Sequence, residues 1–195
     1  MADITHGTWL KDGKAVDAVY QSGIKVYGRN LLLGSEAPSM CLYNASPTGT
    51  NVYSTKTSDG WQRFVLNGGS IKFNTELLPQ SGIYFDVIAG TTYTQSLEIR
   101  TDATVDLSTF DIITWYTNDR SHNFQNAVTT KTGAQTYLIS CTYTPNYTDT
   151  VRALDMYLNN VAFATSGTFL DIRYGKAEIS KNATPWSPAP EDILN

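Results

Sequence analysis

The sequence predicts an all-β protein, folded as a two-sheet sandwich of the jelly-roll type. From Gly28 onward, short segments with alternating apolar and polar residues recur about every ten to fifteen residues. Clusters of Gly, Asn, Asp, Pro, Ser and Thr separate these segments, as turns between strands do. No stretch of helical length repeats its apolar residues at the period of a helix. A small closed barrel is the second architecture that fits this pattern.

Residues 1–27 differ from the rest and are predicted to form a short N-terminal β-hairpin segment. The turn formers Asp12-Gly13 and Ser22-Gly23 separate its apolar runs, which indicates two hairpins. Isolated hairpins are only marginally stable in water, so this segment must pack on the main domain, on other copies of the chain or on another protein. Residues 28–195 contain no repeat and no low-complexity linker, which predicts one indivisible domain.

The strands of the main domain are predicted from their period-2 patterns. In chain order they are WQRFVL, SIKFN, GIYFDVI, TTYTQSLEIRT, FDIITWYT, QTYLISCTYT, VRALDMYLN and LDIRYGKAEI. In TTYTQSLEIRT, Leu97 and Ile99 alternate with polar residues, which predicts a strand buried on one face. Gly68-Gly69 is predicted to turn WQRFVLN into SIKFN as a hairpin. In LDIRYGKAEI the apolar positions change phase across Gly175, and a β-bulge there would explain the change.

Composition narrows the range of functions. The chain has 195 residues, 41% of them hydrophobic and 16% charged, which disfavours disorder. Its net charge is -4 and it has no run of Lys or Arg, so we expect no nucleic-acid binding. No long apolar stretch and no basic-then-apolar leader occur, so we expect no membrane insertion and no signal peptide. Two buried free thiols are the simpler interpretation of Cys41 and Cys141, and one disulfide bridge between them is the alternative.

The chain lacks the residue patterns of common enzymes. Its two histidines, His6 and His122, belong to no metal-binding motif, and no G-x-S-x-G sequence is present. A glycoside hydrolase needs two carboxylates across a cleft, and the aspartates are more simply turn formers and solvated side chains. We therefore predict a protein without catalytic residues, and keep a glycoside hydrolase as a distant alternative.

Aromatic residues beside polar ones point to ligand binding. A sugar ring packs its C–H face on an exposed aromatic ring, while Asn, Asp, Arg or Gln bind its hydroxyl groups. Two segments, DGWQR and WYTNDR, match this description. Either tryptophan could instead be a core residue, and Tyr116 becomes the better contact if Trp115 is buried beside Ile113. The candidate ligand-binding residues are Trp61, Arg63, Trp115, Tyr116, Asn118, Asp119 and Arg120.

Asp171 is a candidate ligand for a structural calcium ion. Carboxylate and backbone oxygens at the edge of a sandwich can supply the six to eight oxygen ligands that calcium needs. A single aspartate is a weak signal for such a site. No other cofactor is expected, and none is required.

Three segments, GRNLLLGS, PQSGIYFDVIAGTTYTQSLEIRTD and LDIRYGKAEISKNATPWSPAPEDI, resemble a known family. They are similar to the carbohydrate-binding-module-like, galactose-binding-type jelly-roll domains of tail and baseplate (receptor-binding) proteins from phages of Gram-positive bacteria. The last segment, residues 170–193, resembles the family pattern K-x-E-x-G-x-x-A-T-x-W-x-P-A-P-E-D. It departs from the pattern at Ser180-Lys181, where the family has Gly.

The resemblance implies a non-catalytic module of a phage tail that recognises a host cell-wall or surface polysaccharide. It also implies contacts with other tail proteins and a place in the virion. Together with the expected lack of a signal peptide, the resemblance implies synthesis in the bacterial cytoplasm. Single sugar contacts are weak, so several copies, for example in a homo-oligomer, would be needed for useful avidity. Trp186 is expected to anchor the C-terminal segment on the sandwich. The alternative is a structural tail or baseplate component whose jelly roll mediates protein-protein assembly.

Overall fold

The computed structural model describes residues 2–5, 8–11, 14–32, 40–43, 51–67, 73–77, 85–102, 112–117, 121–124, 128–158, 169–190 and 192. These residues contain seventeen β-strands. Because polar and apolar residues alternate along most of them, strands rather than helices account for nearly all of their regular structure. None of the described segments forms a helix with the length and hydropathy that crossing a bilayer requires.

The N-terminal segment forms two small antiparallel sheets. Strands β1 (Ala2–Thr5), β2 (Thr8–Lys11) and β3 (Lys14–Ala15) form the first. Strands β4 (Ala18–Gln21) and β5 (Ile24–Gly28) form a hairpin. Ser22 and Gly23, between β4 and β5, have φ angles of 51° and 78°, and two positive φ angles are what a tight two-residue hairpin turn needs. The division of the chain between residues 27 and 28 stays a prediction.

The remaining strands form two six-stranded antiparallel sheets. Sheet 1 consists of β6 (Met40–Tyr43), β9 (Phe73–Leu77), β10 (Phe85–Val87), β12 (Ile112–Thr117), β13 (Ser121–Phe124) and β16 (Asp149–Leu158). Sheet 2 consists of β7 (Asn51–Lys56), β8 (Gln62–Asn67), β11 (Tyr93–Thr101), β14 (Val128–Lys131), β15 (Thr136–Tyr143) and β17 (Phe169–Ile179).

The chain passes repeatedly from one sheet to the other. Sheet 1 has the order β13-β12-β16-β9-β6 with β10 also on β16, and sheet 2 has the order β14-β15-β11-β17-β8-β7. Sequence neighbours such as β11 and β12, or β16 and β17, lie in different sheets, which is typical of a jelly roll. The predicted all-β sandwich is therefore confirmed. The predicted pairing of WQRFVLN with SIKFN is wrong, because β8 belongs to sheet 2 and β9 to sheet 1; Gly68 and Gly69 themselves lie outside the described residues.

The core is formed by apolar residues of both sheets. Its fully or almost fully buried members include Phe85, Val87 and Val151 from sheet 1 and Leu97, Ile99, Ile139, Leu170 and Ile172 from sheet 2. For the first half of β11, the prediction of burial on one face only is wrong. Thr94 and Ser96, on the opposite face, are buried as well. Other parts of the chain must therefore cover the outer face of sheet 2.

One cover is the segment that follows β5. Strand β8 pairs only with the first four residues of β17, which leaves the second half of that edge open. The Leu31 amide donates to the Ala177 carbonyl at 2.8 Å. The Asn30 side chain accepts from the Ala177 amide and donates to the carbonyls of Gly175 and Ser187. One buried asparagine thus joins the N-terminal segment, β17 and the C-terminal segment.

The second cover is the C-terminal segment, which is fixed by a buried polar network around Thr184. The Thr184 hydroxyl donates to the Glu178 carboxylate at 2.9–3.0 Å and accepts from Lys176 Nζ at 2.8 Å and from the Gly28 amide at 3.2 Å. A hydroxyl has one donor and two acceptor sites, so all three are used. Lys176 also donates to the Pro185 carbonyl at 2.7 Å. Lys176 and Glu178 are both fully buried.

The hairpin completes this network, which we call the clasp: Lys25, Gly28, Lys176, Glu178 and Thr184. Lys25 Nζ lies 3.9 Å from Glu178 and donates to the Ile179 carbonyl. A Cβ on Gly28 would overlap the Glu178 carboxylate, so glycine is needed for the close approach of β5. The hairpin therefore packs on the main domain, one of the three arrangements expected from the sequence.

Replacing Thr184 by valine tests the clasp. Thr184→Val keeps the shape of the side chain but removes the hydroxyl that donates to Glu178 and accepts from Lys176 and Gly28. Glu178 then keeps only the Thr184 amide, and Lys176 only the Pro185 carbonyl, so we expect a loss of about 2–4 kcal/mol in the free energy of unfolding. Thr144→Val is the control, because Thr144 is exposed and its hydroxyl bonds that of Thr92 alone among the described residues. It should change this free energy by less than about 0.5 kcal/mol. Urea unfolding measures both, and equal effects would contradict the role of the clasp.

The clasp also predicts a dependence of stability on pH. Burial lowers the pKa of Lys176 from 10.5 to about 8, and it lowers the pKa of Lys25 as well. At a pH between these two pKa values, Lys176 holds a proton in the unfolded chain but not in the folded chain. The free energy of unfolding therefore rises with pH in this range. Burial raises the pKa of the Cys141 thiol from 9.0 to about 11, which acts in the opposite direction above pH 9.

We therefore expect the free energy of unfolding to increase by about 1 kcal/mol from pH 8 to pH 9, before the Cys141 effect becomes large. Urea unfolding at pH 7, 8 and 9 measures this, with little change expected below pH 8. In Lys176→Met the increase should shrink, since only Lys25 then contributes. If the free energy of unfolding of the unaltered chain stayed constant or fell between pH 8 and 9, the lowered pKa of the buried Lys176 would be contradicted.

Candidate functional site

Asp171 is the centre of an arginine cluster on the outer face of sheet 2. Its side chain is 0% exposed, and it accepts two hydrogen bonds from Arg63 at 2.7 and 2.8 Å and two from Arg100 at 2.9 and 2.7 Å. The three residues come from neighbouring strands, since Asp171 is opposite Arg63 in β8 and Arg100 in β11. Four charge-assisted hydrogen bonds offset the cost of burying the carboxylate.

This environment does not fit a calcium ion at Asp171. Both carboxylate oxygens are engaged by guanidinium groups, whose positive charge repels a cation, and calcium needs six to eight oxygen ligands. Across the part of the chain that the structure describes, no three His, Cys, Asp or Glu side chains are grouped as metal ligands would be. The geometry assigns Asp171 to the fold instead.

Trp61 lies inside the same cluster. Its side chain is only 2% exposed, and the guanidinium groups of Arg173 and Arg100 lie 4.0 and 4.6 Å from its ring centroid. The expectation that Trp61 offers an open platform for a sugar ring therefore differs from the structure, because cation–π contacts cover the ring. Arg63 is likewise engaged, with its guanidinium 4.0 Å from the Phe169 ring centroid.

Asp59 is the exposed member of the cluster and accepts a hydrogen bond from Arg100 at 2.8 Å. Hydrogen bonds from Thr57 and Arg100 lower its pKa to about 2. Asp59 is therefore ionised at neutral pH and is not suited to donate a proton to a substrate.

The second predicted segment is described only in part. Trp115 and Tyr116 belong to β12 in sheet 1, with backbone partners in β13 and β16. Their side chains, and all of Asn118, Asp119 and Arg120, lie outside the described residues. The role of these five residues in ligand binding stays a prediction.

A β-bulge interrupts the pairing of β17 with β11, close to where the phase change in LDIRYGKAEI predicts one. Ser96 is opposite Lys176 but Glu98 is opposite Arg173, so Tyr174 and Gly175 together face Leu97. Tyr174, not Gly175, has the left-handed backbone conformation, with φ of 59°. For a residue with a bulky side chain this conformation costs roughly 1–2 kcal/mol.

The bulge places Tyr174 against Trp186 of the C-terminal segment. Their ring centroids are 4.4 Å apart and the ring planes are 18° from parallel, so the rings are stacked. The Arg173 guanidinium lies 4.4 Å from the Tyr174 ring centroid and donates to Glu98 at 2.8 Å. Trp186 anchors the C-terminal segment, as the sequence predicts, and it also forms part of a surface.

The stacked pair forms one wall of a cavity of about 250 Å³. The described residues that line it are Ser96, Glu98, Leu138, Tyr174, Ala183, Thr184, Pro185 and Trp186. We call it the aromatic cavity. Sequence analysis missed Tyr174, Glu98 and Ser96 as candidates, although the phase change at Gly175 was a signal that β17 turns a side chain out of register there.

A larger groove of about 770 Å³ lies on the other side of residues 183 and 184, between the β4–β5 hairpin and the end of β17. Tyr20, Ile24 and Ile179 line it, and each is more than half exposed. Lys25 and Lys181 also line it. We call it the hairpin groove, and its apolar character differs from that of the arginine cluster.

The chain was compared with known proteins. It matches no protein-family model, and no curated protein matches it. Among solved structures it is similar to one described as "CBM4 structure and function", with 17% sequence identity and a TM-score of 0.37. The alignment covers 72% of this chain and 86% of that one. The class that the structure itself defines is an all-β sandwich whose outer face carries the aromatic cavity.

Replacing Asp171 tests whether the arginine cluster is structural. Asp171→Asn removes the charge that neutralises Arg63 and Arg100, so we expect the free energy of unfolding to fall by about 2–4 kcal/mol. Asp59→Asn is the control and should have little effect, because Asp59 is exposed. Thermal and urea unfolding measure both variants. An Asp171→Asn protein as stable as the unaltered chain would contradict the structural role.

Proposed function

We propose that this chain is a non-catalytic carbohydrate-binding module of a phage tail or baseplate protein, and that it recognises a saccharide on the host cell surface. The observation that carries the proposal is the aromatic cavity, in which stacked Tyr174 and Trp186 face a carboxylate and a hydroxyl. Aromatic rings bind the C–H face of a sugar, and polar groups at their edge bind its hydroxyls. The phage-tail assignment rests on the resemblance of residues 170–193 to that family.

The clasp gives the family-like ending a physical meaning that supports this proposal. In LDIRYGKAEISKNATPWSPAPEDI, Lys176, Glu178 and Thr184 form the clasp and Trp186 stacks on Tyr174. The pattern is therefore one of residues that fix the C-terminal segment as a wall of the aromatic cavity. A segment fixed in this way presents a preformed site, which reduces the entropy lost on binding.

The charge arrangement favours binding over catalysis. Glycoside hydrolysis needs one carboxyl group that donates a proton and a second that stays ionised. On the described outer face, Asp59, Asp171 and Glu98 are each hydrogen-bonded to arginine, and the pKa of Asp59 is lowered to about 2 by hydrogen bonds from Thr57 and Arg100. This arrangement suits hydrogen-bond acceptors for sugar hydroxyls.

A second candidate function is a structural one, assembly with other tail proteins or with copies of this chain, and the hairpin groove favours it. Tyr20, Ile24 and Ile179 expose apolar side chains side by side, as protein-protein contact surfaces do. The two functions are compatible, since oligomerisation through the groove would supply the avidity that weak sugar contacts need.

Sedimentation with purified cell walls from a panel of Gram-positive bacteria tests the proposal. The unaltered chain should sediment with the walls of its host, and Trp186→Ala should reduce the bound fraction about tenfold, because the aromatic wall is lost. Circular dichroism and thermal unfolding check that Trp186→Ala is folded. A folded, multimeric chain that binds none of the walls would overturn the proposal.

Tyr20→Ala is the matched control, since it removes an exposed aromatic ring from the hairpin groove instead. Its binding per particle should be unchanged if the aromatic cavity is the site. Light scattering measures whether Tyr20→Ala lowers the oligomeric state, which would support the assembly role. Loss of wall binding in Tyr20→Ala without a change in oligomeric state would move the site to the groove.

A further inference from the structure

Tyr174 is the one non-glycine residue with a positive φ angle among the described residues of sheet 2. It adopts the left-handed conformation at the bulge, although its neighbour Gly175 could adopt it without strain. The first position of such a bulge is usually glycine for that reason. Strain of this kind persists where the surrounding structure enforces it, and it is often found at binding sites. The strain at position 174 therefore indicates a function for the Tyr174 side chain.

The strained conformation orients the Tyr174 ring along the wall of the aromatic cavity. The ring stacks on Trp186, and both rings line the space above β11. With glycine at position 174, Trp186 would lose its stacking partner and the cavity would lose part of its apolar wall. The strain is thus coupled to the formation of this wall, while the pairing of β17 with β11 continues on both sides of the bulge.

Two polar groups on the floor of the cavity have unused hydrogen-bonding capacity. Ser96 is 4% exposed and lines the cavity, and no described residue hydrogen-bonds its hydroxyl. Glu98, two residues along the same face of β11, accepts from Arg173 through Oε2. No donor for Glu98 Oε1 is found among the described residues. The Ser96 hydroxyl and Glu98 Oε1 can therefore hydrogen-bond a ligand that enters the cavity.

From these observations we propose that the aromatic cavity binds one uncharged sugar ring. Trp186 packs against the C–H face of this ring, Tyr174 supports Trp186 from the opposite face, and Glu98 and Ser96 bind the hydroxyls of the sugar. This inference rests on the proposed function and adds the kind of sugar and the residues that select it.

Charge and size both support an uncharged single ring. Glu98, whose charge is paired with that of Arg173, is the one charged residue among the described residues that line the cavity, so the lining offers no cation to a carboxylate or phosphate on the ligand. A volume of about 250 Å³ lies below the roughly 300–1,000 Å³ of pockets that enclose drug-sized ligands. One ring therefore fits, and the rest of a polysaccharide would extend outside.

Competition in the cell-wall sedimentation assay tests this inference. Neutral monosaccharides (glucose, galactose, mannose and N-acetylglucosamine) and the charged glucuronic and galacturonic acids are added in excess. We expect at least one neutral sugar to displace the chain from the walls and neither acid to do so. Displacement by the acids alone, or by no sugar at all, would overturn the inference.

Three variants separate a binding role from a structural one. Tyr174→Gly should bind walls about tenfold more weakly but change the melting temperature only slightly, because the strain that glycine relieves offsets the stacking and chain entropy that it costs. Tyr174→Phe keeps the ring and should bind normally. Glu98→Gln should weaken binding several-fold and reduce the discrimination against the two acids, because it removes the negative charge.

The outcomes distinguish the two proposals. If the unaltered chain binds walls, and Tyr174→Gly and Glu98→Gln bind them equally well, this site is rejected. The proposed function then still stands. No wall binding by the unaltered chain rejects the proposed function itself. A Tyr174→Gly protein that melts lower but binds normally would assign Tyr174 to the fold alone.

Discussion

The burial of Glu178 is the constraint on which the outer face of sheet 2 depends. A carboxylate without solvent access needs strong partners, and here the Thr184 amide and hydroxyl donate to it directly. Lys176 lies 3.9 Å from Glu178, too far for a hydrogen bond, so the threonine hydroxyl bridges the two charges. Because Thr184 lies between the aromatic cavity and the hairpin groove, the position of both features follows from this interaction.

The sequence predicts the strands well where burial has a simple period. In β11 and β15 the alternating apolar residues face the core, as Leu97, Ile99 and Ile139 show. Prediction failed where residues distant in sequence decide the environment. Thr94 and Ser96 look like solvated positions and are buried, because a segment that begins 86 residues after Thr94 covers them. Gly68-Gly69 has the composition of a hairpin turn, but whether a turn joins paired strands depends on the sheet each strand enters.

The sequence predicted the types of residue at the candidate site better than it predicted their positions. Combining an aromatic ring with polar neighbours identified Trp61 and Arg63, which do lie on the outer face of sheet 2. Sequence does not reveal that two arginines from other strands cover the Trp61 ring. Tyr174 was missed because its orientation depends on a bulge, and a phase change shows that a bulge exists without showing which residue adopts the unusual backbone conformation.

The clasp also bears on how the chain acquires its structure. The contact between Gly28 and Thr184 spans 156 residues, and that between Asn30 and Ser187 spans 157. Contacts between such distant residues slow folding, because a long loop must close before they contribute any stability. During synthesis, the outer face of sheet 2 cannot be completed until residue 187 has left the ribosome, so until then Thr94, Ser96 and the N-terminal hairpin lack their native cover. Nascent chains of this protein should therefore be vulnerable to proteases and to association with each other at this face, and the emergence of residue 187 is the event that protects it.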